Sequence, residues 1–393
     1  MKTDYLENTS VLFIAQFGTA LSLSSIIVLL PFYIYSISKY SLSKTILWTG
    51  LILSASNIGA AIFSPIWGKL SSKINPKTLY LRGIVSHSIV LLLISSTQNL
   101  PLLLLFRFIQ GIMGGISTIG LIILKSSVSQ KELSPQIGKF QSSITLGQLF
   151  GPPIGAYIAY KFSYFSAFIL ASSIMALVFI FTAVFLNNTG KEIFSENPNK
   201  KIKLRYLELW FLSFSATIHT VYLPAILPTI LSSFNYSKND SVITAGVIVF
   251  IYGISSFCGA YLLPSLPSER KIYNFIVLFS VLASLFQLLH LFAENVYSFT
   301  TMRVVQTFFA AAIMPLCLGI VANRYTGTDI GILNTARFTG NAAAPLISTF
   351  ILSFLGLKSV FLFLTLLTLL PLNVFIRKKH FYFLDDKERK RFF

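Results

Sequence analysis

Three arginines, Arg107, Arg303 and Arg337, sit inside long apolar runs, and each carries a charge it cannot shed. An arginine at the centre of a membrane span costs at least ~2.5–3.5 kcal/mol on insertion scales, so each must face protein or a wet cavity. Gln110 and Gln306 follow Arg107 and Arg303 by three residues, and Asn334 and Asn341 flank Arg337. At helical spacing each set shares one face. A planar guanidinium beside an amide suits a carboxylate held by two bonds. The alternative is that the arginines only tie helices together by bonding to carbonyls and glutamine groups. All 13 Asp and Glu lie outside the middle of the apolar runs, the deepest being Glu208. Unpaired arginines facing a cavity make its potential positive, which favours anionic or zwitterionic solutes over lipophilic cations.

Such residues need elements that cross a membrane. Of 393 residues, 54% are hydrophobic and only 11% charged, against about 25% charged in a soluble domain. Twelve runs are long enough to span, at 10–37, 44–69, 78–97, 100–125, 136–160, 164–187, 205–232, 241–264, 270–293, 297–323, 328–353 and 357–378. Helices are the form that satisfies its own backbone in lipid. The net charge of +18 does not point to nucleic acid, because Lys and Arg sit in short loops between the runs. With the N-terminus inside, only Lys39, Lys44, Lys161, Lys238 and Lys358 fall outside, and apart from the three span arginines every other one of the 31 falls inside. That asymmetry predicts both termini in the cytoplasm. Cys258 and Cys317 each lie in an apolar run, so neither a disulfide framework nor a metal site is expected. The charged segment before the first run does not read as a cleaved signal peptide.

The polar stretch 188–204, with four lysines and Pro198, reads as a linker near the midpoint. It divides the chain into 1–187 and 205–378, six runs each, followed by a basic tail at 379–393. The halves repeat. Leu30-Pro31 matches Leu227-Pro228, Arg107 and Gln110 match Arg303 and Gln306, and Gly147 and Pro152 match Gly340 and Pro345, all at nearly one offset. Parallel repeats of this kind predict an all-α membrane protein of two pseudo-symmetric six-helix bundles, with the solute site near the midplane between them.

Several motifs are similar to those of the major facilitator superfamily, within it the twelve-span drug/proton antiporter branch. Arg107-Phe108-Ile109-Gln110-Gly111 with Gly114 and Gly115 resembles its Arg-x-x-Gln-Gly signature. Gly147-x-x-x-Gly151-Pro152-x-x-Gly155 resembles its antiporter motif, a signal for exporters. The loop from Gly68 to Lys77 resembles the family's Gly-x-Leu-Ala-Asp-Arg-x-Gly-Arg-Lys, but Ser72 stands in place of the Asp and Asn75-Pro76 in place of the Gly-Arg pair. The resemblance places His219, in the seventh span, beside the cavity as a proton carrier, and His87 and His290 at the periphery. Gly147, Gly151 and Gly155 form one stripe that lets helices approach closely, and Pro152-Pro153 interrupts a hydrogen-bond ladder. Both features suit a helix that bends or slides, while static packing is the alternative.

No zinc-protease or nucleophile-elbow motif points to an enzyme, and no phosphate-binding loop points to nucleotide hydrolysis. No cofactor is expected. The sequence therefore predicts a monomeric secondary transporter in the cell membrane. Its expected role is proton-coupled export of an anionic or zwitterionic solute, siderophore-like or drug-like. Import of a small metabolite is the alternative, and a non-transporting sensor or scaffold a remoter one.

Overall fold

In the computed structural model the apolar runs are helices, as a bilayer demands of backbone it cannot hydrogen-bond. The structure describes residues 2–188, 207–267, 271–322 and 327–378, with side chains at all of these except 2–7, 65, 130–135, 322, 327–332 and 334. The basic tail and most of the linker lie outside the described residues. The chain runs α1 (Lys2–Ile27), α2 (Leu29–Ile37), α3 (Leu42–Leu70), α4 (Pro76–Ser95), α5 (Leu100–Ile112), α6 (Ile116–Ser127), α7 (Gln130–Lys161) and α8 (Tyr164–Phe185). It continues α9 (Leu207–Val221), α10 (Leu223–Ser233), α11 (Lys238–Leu262), α12 (Ile272–Leu289), α13 (Val296–Ala322), α14 (Gly327–Leu355) and α15 (Leu357–Arg377), with no strand among the described residues.

Among the described residues, ten helical stretches are long and apolar enough to cross a membrane, and the bent pair α9–α10 brings the number to eleven. At 32 residues α7 is also long enough, but its Gln, Ser, Gly and Pro residues keep it less apolar than the others. It occupies the fifth expected span, so the structure is consistent with twelve. Polar caps begin three of these helices. Asn99 accepts from Leu102 N (3.1 Å) ahead of α5, Ser163 from Ser166 N (3.1 Å) ahead of α8, and Asn75 from Lys77 N (2.9 Å) ahead of α4.

Three expected spans are broken. α1 gives way to α2 at Val28, and α9 to α10 at Tyr222 with a bend of 46°. The third break separates α5 from α6 at Met113–Gly115, where Gly115 has φ +88°, a conformation side chains rarely tolerate. Donors from other helices meet the carbonyls this break leaves open. Trp67 Nε1 on α3 donates to Ile112 O (2.7 Å), and Arg82 Nη2 on α4 donates to Gly114 O (2.9 Å). The Arg82 guanidinium also lies 3.3 Å from the centre of the Trp67 ring, a cation–π contact. By contrast α7 runs through Pro152-Pro153 without interruption. The prolines remove ladder bonds there but do not end the helix.

Chain contacts divide into two units. One comprises Met1–Lys200, Pro224–Phe250 and Pro345–Ser353, and the other Lys201–Leu223, Ile251–Ala344 and Phe354–Phe393. In the first, α1 packs on α7 and α8, α3 on α5, and α4 on α8. In the second, α12 packs on α13 and α15, and α9 lies against both α13 and α15. Its core holds Leu209, Leu212, Ile276, Ile313, Leu316 and Phe375, with Tyr273 stacked on Phe375 at 4.6 Å. Leu177, Val184, Tyr297 and Leu370 are exposed, as expected of side chains that meet lipid rather than water.

Candidate functional site

In the first unit Arg107 is buried on α5, and its Nη1 donates to Gln110 Oε1 one turn on. Its Nε reaches Ile52 O on α3 at 3.4 Å. α3 comes this close because residue 111 is glycine. A Cβ there would strike the Ser56 carbonyl.

The second unit repeats the arrangement on α13. Arg303 has no exposed surface, its Nη1 donates to Gln306 Oε1 (2.7 Å), and its Nη2 reaches Thr220 O at 3.4 Å. The guanidinium lies between two tyrosine rings, 4.8 Å from the centre of Tyr222 and 4.6 Å from that of Tyr252. These contacts are cation–π attractions, strengthened where water is excluded. A buried network extends from it. The Tyr222 hydroxyl accepts from Gln287 Nε2 (3.2 Å), and His219 Nδ1 donates to Gln287 Oε1 (3.3 Å). His219 Nε2 pairs with the Thr368 hydroxyl (2.8 Å), which can donate or accept.

The two pairs also share an unmet need. Gln110 Nε2, Gln306 Nε2 and Arg303 Nε are buried donors with no acceptor. A buried donor left unpaired costs about 1–3 kcal/mol. What these sites lack is an acceptor, and a carboxylate consists of acceptors only.

The other expected site residues fall in different surroundings. Arg337 is half-buried on α14 with its guanidinium 5.3 Å from the Phe338 ring centre, and Asn341 is half-buried on the same helix. The side chain of Asn334 lies outside those described. The stripe Gly147, Gly151 and Gly155 seats α7 on α1, where added Cβ atoms would strike the backbone of Phe17, Leu21 and Ser25. Gly68, in the last turn of α3, has room, because a Cβ there meets only Thr118 Cγ2 at 3.8 Å. Pro152 lies on α7 one residue past Gly151. His290 is buried against Phe299 and Phe361, and His87 bonds the carbonyl of Gly83. Glu208, near the start of α9, is buried and pairs with Lys378 at 3.0 Å.

The sequence showed the Arg–Gln pairs but not their company. Tyr222, Tyr252, Gln287 and Thr368 come from four separate stretches and carry no local motif. Only their polarity inside apolar runs marked them out.

Comparison with known proteins places this geometry. The profile of the Major Facilitator Superfamily matches residues 12–288. Multidrug resistance protein MdtG of Proteus mirabilis is 24% identical over 373 residues, 91% of this chain and 92% of that protein. The staphyloferrin B transporter of Staphylococcus aureus is 24% identical, over 88% of this chain and 87% of its own. Among solved structures, a bacterial homologue of the human lysosomal transporter Spinster, inward-facing and occupied, superposes with a TM-score of 0.78 at 13% identity. That match covers 95% of this chain and 96% of the other. The chain belongs to the major facilitator superfamily, as a multi-pass secondary transporter resembling that family's drug/proton antiporters and not an enzyme.

Proposed function

We propose that this transporter exports a small organic anion or zwitterion, such as an organic-acid metal chelator, in exchange for protons. The observation that carries the reading is the pair of buried Arg–Gln units whose free donors, Gln110 Nε2, Gln306 Nε2 and Arg303 Nε, want an acceptor. A solute carboxylate entering at either unit supplies acceptors and displaces glutamine Oε1 from the guanidinium. No carboxylate joins the network around Arg303 among the described residues to compete for it. The relative named for transport of staphyloferrin B supports a chelator as the solute, and the relative named for multidrug resistance supports export. His219 is the titratable group in the network that we assign to the proton. Arg337 and Asn341, with Asn334, offer a further polar face from α14.

We read the chain as halves 1–187 and 205–378 joined by the linker 188–204, in a protein that works as a monomer. Bacterial relatives support the cell membrane as its location. The loop charges orient both termini to the cytoplasm. Reporter fusions after Leu204 and at Phe393 are expected to read as cytoplasmic, and an external signal at either overturns the orientation.

Purified protein in proteoliposomes with an imposed pH gradient tests the function. An anionic chelator is expected to move against the proton flux, and lipophilic cations are not. Solute moving with the protons instead would establish uptake. Preferential transport of a lipophilic cation would sink the anion reading.

A further inference from the structure

Within the first unit a cavity of about 230 Å³ is lined by Tyr35, Tyr164, Thr229, Ser232, Tyr236 and Lys238, among others. None of these belongs to the Arg–Gln units. The cavity lies at the end of the unit where α2 joins α3 and α10 joins α11.

Its wall is built rather than left over. α10 ends in a left-handed cap. Asn235 has φ +60°, and Tyr236 N donates back to Leu231 O (3.1 Å), which closes the helix and delivers the Tyr236 ring to the cavity. The next helix starts at once. The Ser237 hydroxyl accepts from Asp240 N (3.1 Å) and donates to Asp240 Oδ2 (2.6 Å). That reciprocal cap occupies Asp240, which does not line the cavity, and leaves Lys238 in the first turn of α11. A lysine there adds its charge to the positive end of the helix dipole, the reverse of the usual pairing. Between α2 and α10 the Tyr35 hydroxyl bonds the Thr229 hydroxyl at 2.9 Å.

The lining therefore offers phenol rings, several hydroxyls and one ammonium, with no carboxylate. A cavity of ~150 Å³ holds one benzene, and drug-sized ligands need about 300–1,000 Å³. At about 230 Å³ this one fits a single ring with one small substituent.

We propose that this cavity is a second solute site, which takes a single-ring monocarboxylate with its ring among the tyrosines and its carboxylate on Lys238. The proposal goes beyond the export reading, since it depends neither on the direction of transport nor on Arg107 and Arg303.

Saturable binding of radiolabelled benzoate to the purified, monodisperse transporter is the test, with benzyl alcohol and benzylamine as competitors. Benzoate is expected to bind, benzyl alcohol to compete weakly, and benzylamine not at all. Lys238→Met should weaken benzoate about tenfold and leave competition by benzyl alcohol unaltered. Ser232→Phe should fill the space and abolish binding of both. Ser232 and Lys238 are exposed, so neither change burdens folding. Absence of saturable binding, or benzoate bound equally by parent, Lys238→Met and Ser232→Phe proteins, overturns the proposal. So does benzoate binding that Arg303→Ala removes and Ser232→Phe spares, because the ring then sits at the Arg–Gln unit.

Discussion

Leucine in place of Gly151 is expected to leave little folded transporter. A Cβ at this position would meet Leu21 O at 2.6 Å and Ser25 N at 2.8 Å, and it would also strike the Ser24 hydroxyl. Two of those three atoms are backbone, which cannot rotate away. α1 and α7 would have to part along the glycine stripe, and the Ser24 Oγ to Gly147 O bond (3.0 Å) would go with it. Overpacking typically costs 1–3 kcal/mol, and collision with a neighbouring helix's backbone belongs at the upper end. Gly68→Ala serves as the control, with open space and no expected effect. Yield of monodisperse protein in mild detergent is the measurement. Normal yield of Gly151→Leu would mean that α7 does not rest on α1 as described. The location of the stripe also bears on its role. Its contacts are with α1, which belongs to the same expected half as α7, so its first duty is to hold that half together.

Removing the Arg303 guanidinium is expected to have the largest effect on solute binding. Arg303→Ala takes the donors from Gln306 Oε1 and Thr220 O and empties the space between Tyr222 and Tyr252. Each acceptor left bare costs about 1–3 kcal/mol, so folded yield should fall. The informative quantity is the affinity of the protein that survives. We expect at least about a tenfold loss for an anionic solute, equal to ~1.4 kcal/mol. Arg303→Lys should recover the charge but not the two-pronged geometry, and so restore binding only in part. Undiminished affinity in surviving Arg303→Ala protein would reduce Arg303 to a brace between α9 and α13.

The sequence disclosed what depends on local composition. Apolar run length located the spans, and the recurrence of an Arg followed three residues later by a Gln located both buried pairs. What it hid depends on partners far along the chain. Gly114-Gly115 permits a break in the fourth span, but the donors that satisfy its carbonyls, Trp67 and Arg82, lie on two other helices and leave no local mark. Pro152-Pro153 is a local signal of the other kind: it removes ladder bonds within the expected span 136–160, and α7 continues through it. The cavity beside Lys238 was equally invisible. Its walls come from three distant stretches, 32–42, 164 and 228–241, and its sharpest determinant is the left-handed Asn235, which no periodicity reveals.

The broken fourth span has a consequence for how the chain is made. In hydrocarbon an unmet carbonyl costs several kcal/mol, so α5 and α6 cannot rest in a bilayer as a broken pair without outside donors. Both donors, Trp67 and Arg82, precede the break in the chain. Chains are synthesised from the N-terminus at about 5–20 residues per second. The indole and the guanidinium are therefore in the membrane seconds before the carbonyls that need them. Moving these two helices behind the break, by circular permutation, would reverse that order and expose the open backbone to lipid first.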